Sequence, residues 1–323
     1  MMTNLKSILA VEELTKSFPT GFWRKPVRVL EGLSFNVREN EIVGFLGPNG
    51  AGKTTTIKIV NRLAFPDSGK AMLFGEDVSG EADHRRRIGF MPEQPYFYEY
   101  LTAVEFLRLC GRLCGMSIKD VDSRSSQILS RVGLHGVQGK AIRKYSKGMM
   151  QRLGLAQAML HDPELVILDE PMSGLDPLGR MEVRGIIRDL KAAGKTVFFS
   201  SHIISDVEAL CDRVIMLDKG RKVAEGRVED LIGSEMLYVE IVVSPSPSLL
   251  QLEAAGISPE SGHAQGDLMV LRASGEEEAN RWMADLLKKG FSIRSCVPVK
   301  KRLEDIFVER VDKTGAGNEG ADK

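Results

Sequence analysis

The chain has 323 residues, 43% apolar and 27% charged, an ordinary globular composition with room for two domains. Its 44 Lys and Arg balance its 44 Asp and Glu, so no net charge favours nucleic acid or an anionic membrane. Four cysteines in this length make no disulfide framework, and no apolar run approaches the ~20 residues that cross a bilayer.

Residues 1–6 lack the apolar core of a signal peptide, and the expectation is a soluble, intracellular protein. Residues 7 to 46 alternate in the manner of strands, at 8–11, 27–30 and 33–37, before a buried strand at 41–46. Such a run predicts an antiparallel sheet beside a βα core. Residues 19–26, bounded by prolines, read as a loop, and Phe18 before it either stacks on a nucleotide base or packs inside.

Gly47-Pro48-Asn49-Gly50-Ala51-Gly52-Lys53-Thr54 then fits G-x-x-x-x-G-K-[ST], and Thr55 leads into a helix over 55–60. The glycines let the backbone aim successive N–H groups inward as an anion nest. The helix start adds partial positive charge. Lys53 is placed to reach the β/γ-phosphates, and the Thr54 hydroxyl to ligate Mg²⁺. The stretch points to a nucleoside triphosphate.

A turn at 65–69, a strand at 70–74 and a strand at 88–91 follow; the basic run at 84–87 reads as a solvated loop edge. From Thr102 to about Leu160 the pattern is helical, an insertion in an α/β domain. Cys110 and Cys114 lie i,i+4 on it, with no further ligands for a metal set. A buried strand over 164–168 ends in Asp169-Glu170. Acidic residues at the carboxyl end of such a strand lie where α/β ligands bind. Asp169 can hold Mg²⁺ and Glu170 can polarise an attacking water. A helix over 181–193 and a strand over 196–201 lead to His202, in the same layer.

Tyr145-Ser146-Lys147-Gly148-Met149-Met150-Gln151-Arg152 resembles the signature Leu-Ser-Gly-Gly-Gln with its following x-Gln-Arg, and Ser173-Gly174-Leu175-Asp176-Pro177 resembles a D-loop. With the phosphate loop, Asp169-Glu170 and His202, these blocks together resemble the ATPase subunit of an ABC transporter over about residues 7 to 230. The resemblance implies an α/β P-loop NTPase core with an antiparallel β subdomain and a helical subdomain at about 95–160. It implies ATP and Mg²⁺, a head-to-tail homodimer, and a separate integral membrane permease. Ser146, Lys147, Gly148 and Met149 of one copy would face the phosphates held by the other. Glu170 would be the general base, His202 would hold the γ-phosphate side, and Asp176 would couple the two sites.

Two positions depart from the family pattern. Lys147 replaces a glycine and Met149 a glutamine. The Q-loop glutamine aligns with Glu93, while Gln94 follows it; either offers an oxygen near Mg²⁺, and the sequence leaves the choice open. Residues 95–101 hold four aromatics, which either anchor the permease or pack inside the helical subdomain.

Beyond residue 232 the motifs stop. Strands at 236–243, 267–272 and 291–297, a helix at 276–289 and the start of another at 303–308 predict a small α+β, ferredoxin-like domain over 233–312. Residues 313–323 read as a disordered tail. The whole reads as the cytoplasmic ATPase subunit of an exporter, peripheral on the membrane through its permease. The alternatives are a soluble ABC ATPase of translation or DNA repair, and a P-loop small-molecule kinase.

Overall fold

In the computed structural model, residues 6–19, 26–80, 84–233 and 236–316 are described. β1 (Ser7–Phe18) pairs antiparallel with β2 (Val27–Arg38), then β3 (Ile42–Leu46) runs into the phosphate loop and α1 (Lys53–Val60). The two strands expected at 27–30 and 33–37 are one. Gly32, at φ 60°, lets the chain bend without leaving the ladder, and the register with β1 slips at several points instead. β4 (Ser68–Leu73) and β5 (Glu76–Asp77) complete an antiparallel sheet in the order β2-β1-β4-β5.

β6 (Ile88–Met91) precedes the helical insertion of α2 (Ala103–Leu113), α3 (Ile118–Arg131) and α4 (Lys147–Met159). Each starts on a hydroxyl cap, at Thr102, Ser117 and Ser146, and Thr102 forms a full capping box with Glu105. After it come β7 (Leu165–Leu168), α5 (Pro177–Ala192), β8 (Thr196–Ser201), α6 (Ile204–Leu210), β9 (Arg213–Asp218), β10 (Arg221–Arg227) and the short α7 (Val228–Ile232). The second sheet has the order β10-β9-β3-β8-β7-β6, parallel from β9 to β6. Strands β3, β7 and β8 are buried at every residue, as a sheet covered on both faces requires. Phe35, Phe45 and Phe198 meet with ring centroids 5.2–5.7 Å apart in a core that joins the two sheets.

In the run at 84–87, Arg85 and Arg86 are exposed, as a solvated edge requires, but the two residues at its ends are held. His84 is buried, and Arg87 stacks 3.5 Å from the centre of the Phe74 ring while pairing with Glu164 at 2.6 Å.

One compact unit takes the residues through Val228 and those from Arg310; the other is Glu229–Glu309, where the sequence placed its boundary after 232. The second unit contains β11 (Met236–Ser244), α8 (Leu249–Glu253), β12 (Gly262–Gln265), β13 (Leu268–Ala273), α9 (Glu276–Lys288) and β14 (Ser292–Lys300). Its antiparallel sheet has the order β12-β13-β11-β14, the ferredoxin-like βαββαβ arrangement. Val239, Ile241, Val243, Leu271, Trp282 and Leu286 form its core. α10 (Leu303–Ala316) takes in residues 313–316, where a disordered tail was expected; residues 317–323 and residues 20–25, where a loop was expected, lie outside the described residues. Among the described residues no helix is long and apolar enough to cross a membrane.

Candidate nucleotide site

The phosphate loop is fastened to two segments distant in sequence, the end of β8 and the turn between β9 and β10. Gly47 N–H donates to Ser201 O at 3.2 Å, and Gly220 N–H donates to Ala51 O at 3.0 Å. Glycine is required at its two pivots. A Cβ on Gly47 would lie 2.5 Å from Leu217 O, and Gly52, at φ 104°, would bring one 2.5 Å from Leu30 Cδ2. Gly52 caps α1 without a side-chain bond, and no acidic residue stands in the first turn, so the positive helix end faces an anion undiminished. Lys53, only 6% exposed, donates to Gly47 O at 2.7 Å and Pro48 O at 3.1 Å.

β7 delivers the two carboxylates. Asp169 N–H donates to Met91 O at 2.9 Å, and its side chain accepts from Ser200 Oγ at 2.6 Å and Thr54 Oγ1 at 3.3 Å. Burial pushes the Asp169 carboxyl above its ordinary range, against the opposing pull of the Ser200 and Thr54 hydroxyls. Glu170 leaves the strand at φ 49°. Its Oε1 lies 3.4 Å from Lys53 Nζ and its Oε2 2.8 Å from His202 Nδ1. The Glu170 N–H donates to Ser200 Oγ, and Gln151, buried on α4, donates to Pro171 O at 2.9 Å and Glu170 O at 3.4 Å. No sequence motif marks Ser200 or this use of Gln151. Their roles depend on which strand and helix lie beside β7, although Gln151 stood inside a quoted motif.

A cleft of about 490 Å³ opens here, walled by Asn49, Gly50, Gly52, Lys53, Thr54, Thr55, Glu93, Glu170, Ser173 and His202, with Val29 from β2. Glu93 is part of that wall and Gln94 is not, so the expected role of Gln94 as a metal ligand has no support in its placement. Phe18 also lies off the wall; at 41% exposed it is not the core residue that was its alternative.

Apart from Ser173, which reaches the cleft wall, the signature and D-loop stand away from the cleft. Ser146 caps α4 by accepting from Met149 N–H at 3.3 Å. Lys147 is exposed over Gly174, Gly148 faces Leu175, and Asp176 caps α5 by accepting from Gly179 N–H at 3.1 Å. The cap and the Pro177 that follows start α5 four residues before the expected helix at 181. In one copy, then, the phosphate loop, Asp169, Glu170, Glu93 and His202 converge, while Ser146, Lys147, Gly148, Met149 and Asp176 line a different surface.

The family described as ABC transporter matches residues 30–173. An uncharacterized ABC transporter ATP-binding protein of Nostoc sp. is 41% identical over 96% of this chain and 91% of its own length. The Nod factor export ATP-binding protein I of Burkholderia lata is 39% identical over 71% of this chain and 76% of its own. A solved dimeric ATP-binding cassette in a post-hydrolysis state, bound to ADP and Pi, is 25% identical with a TM-score of 0.63, covering 68% of this chain and 99% of that one. With kinship running through nearly the whole sequence, Glu170 sharing one cleft with the phosphate loop and Asp169 bonded behind it to Thr54, this chain belongs to the ABC transporter family as an ATP-binding, ATP-hydrolysing subunit.

Proposed function

We propose that two copies of this chain hydrolyse ATP with Mg²⁺ at the cytoplasmic face of a membrane, driving export through a separate permease. The observation that carries the chemistry is the Glu170 carboxylate, held between Lys53 Nζ at 3.4 Å and His202 Nδ1 at 2.8 Å at the wall of the phosphate cleft. Glu170 takes the proton of the attacking water as its oxygen bonds to the γ-phosphorus and the bond to the ADP oxygen breaks. Lys53 and the N–H groups of the phosphate loop neutralise the charge gathering on the phosphate oxygens. His202 steadies Glu170 from the other side and presents its ring to the γ-phosphate.

Thr54 Oγ1 and Asp169 Oδ1, oxygen donors 3.3 Å apart, are the hard ligands that would hold Mg²⁺, which supplies charge neutralisation on the phosphates. Because the signature residues lie off the cleft, a second copy must bring Ser146, Lys147, Gly148 and Met149 to the nucleotide. Asp176 then lies at the seam between copies. The relative bound to ADP and Pi is dimeric, in keeping with this reading. Export as the direction follows the Nod factor relative. Tyr96, Tyr98 and Tyr100 are exposed and offer the permease contact, whereas Phe97 packs inward on Phe106 at 5.1 Å.

The test is recovery of tagged Glu170→Gln protein with ATP from detergent-solubilised membranes. A polytopic membrane protein at comparable stoichiometry supports the proposal; ribosomes or nucleic acid in its place overturn the transport role.

A further inference from the structure

Ser200 belongs to none of the motifs, yet it is the only side chain that bonds to both Asp169 and Glu170 among the described residues. It is fully buried, at 0% exposed. Its hydroxyl donates to Asp169 Oδ1 at 2.6 Å and accepts from Glu170 N–H at 2.8 Å. A hydroxyl has a single proton, and with that proton given to Asp169 the oxygen lone pairs are left for the Glu170 N–H.

The position of this bond matters. β7 and β8 run in parallel register as far as Leu168 opposite Phe199. Two residues on, the chain turns out of the sheet at Glu170 with φ 49°, a region that side-chain-bearing residues occupy only when their surroundings hold them there. The Ser200 side chain meets the peptide N–H at the point where the chain leaves the ladder. Glu170 is itself 7% exposed, so without that oxygen its N–H would be buried and unpaired.

We propose that Ser200 is a positioning residue for ATP hydrolysis. Linking the Asp169 carboxylate to the Glu170 backbone, it fixes the turn that aims the Glu170 carboxylate between Lys53 and His202. The inference rests on Glu170 being the general base, and it adds a residue that touches neither nucleotide nor water. Valine or alanine at 200 would fill the strand equally well and leave the turn unsupported.

Ser200→Ala removes one oxygen atom. The expected result is a kcat lower by about 10- to 100-fold with the KM for ATP within about twofold, since small misplacement of a reacting group costs rate rather than binding. The decisive measurement is a double-mutant cycle read by single-turnover hydrolysis. In the Glu170→Gln background, Ser200→Ala should change the residual rate by less than about twofold, because the group it positions is already gone. An equal fold-loss in both backgrounds places the action of Ser200 elsewhere and overturns the inference, as does a Ser200→Ala kcat within about twofold of wild type. Ser200→Cys, with a weakly bonding thiol of similar size, carries the same cycle if the alanine variant does not fold. Near-normal turnover by Glu170→Gln alone overturns the general-base reading and this inference with it, whereas failure of the cycle overturns the inference only.

Discussion

Lys147 lies across Gly174, so that a Cβ on that glycine would collide with the lysine Nζ. The signature and the D-loop are therefore one surface, with an ammonium at their junction where the family pattern has glycine. Lys147 is exposed, and Lys147→Gly should leave the thermal midpoint within about 2 °C. If the ammonium adds attraction to phosphate across a dimer, the same change should raise by about threefold the ATP concentration that dimerises Glu170→Gln protein. Size-exclusion chromatography against ATP concentration reads this directly, and an unchanged midpoint concentration removes Lys147 from the phosphate contacts.

Asp169 makes a prediction with a definite sign. Burial raises its carboxyl pKa in the folded protein, so the folded state binds the proton more tightly than the unfolded chain does. Stability contributed by this group is therefore lost as pH rises from the unfolded value, about 4, through the raised folded value. Asp169→Asn should raise the thermal midpoint of nucleotide-free protein by about 2 °C at pH 7.5, with the gain shrinking toward pH 5. Mg²⁺-dependent hydrolysis should be lost in the same variant. Calorimetry at the two pH values tests the sign; a lower midpoint than wild type at pH 7.5 contradicts it.

Glu93 and Gln94 separate cleanly by placement. Glu93 forms part of the phosphate cleft and Gln94 is absent from its wall. Glu93→Ala should lower Mg²⁺-dependent ATPase activity by about tenfold, and Gln94→Ala by less than about twofold. Steady-state assays on the two variants decide, and equal small effects reject a role for either.

Arg184 on α5 pairs with Asp206 on α6, and Asp206 is wholly buried with its Oδ2 unbonded. Arg184→Leu leaves that carboxylate without its cation and should cost about 3 kcal/mol in the first unfolding transition in urea. Asp206→Asn, which removes the charge instead, should cost distinctly less. The reverse order would mean that the pair is held by its packing and not by the burial of charge.

Much of the site was legible because its motifs are local. Gly47 to Thr54 and the strand into Asp169 carry spacing and polarity that need no tertiary context. In the ferredoxin-like unit β11, β13, β14 and α9 were legible from their periods, while the short α8 and β12 were not. The structure around Ser200 was not. A serine in an apolar strand has no meaning until β7 is known to lie beside β8, and that pairing joins residues some thirty positions apart. The basic run at 84–87 was legible in part: Arg85 and Arg86 are exposed as their charge suggests, but Glu164 and the Phe74 ring arrive from elsewhere to hold Arg87. The start of α5 was written in Asp176-Pro177, where a cap followed by proline outranks the hydrophobic period that begins later.

The two fastenings of the phosphate loop bear on the order in which the protein is made. Ser201 and Gly220, which secure its ends, emerge from the ribosome long after Lys53. A nascent chain halted near residue 190 would display the whole phosphate-loop motif but lack the neighbouring strands that shape it. Nucleotide capture thus becomes a property of the finished sheet, and not of the loop motif or of Glu170, both of which the growing chain already holds.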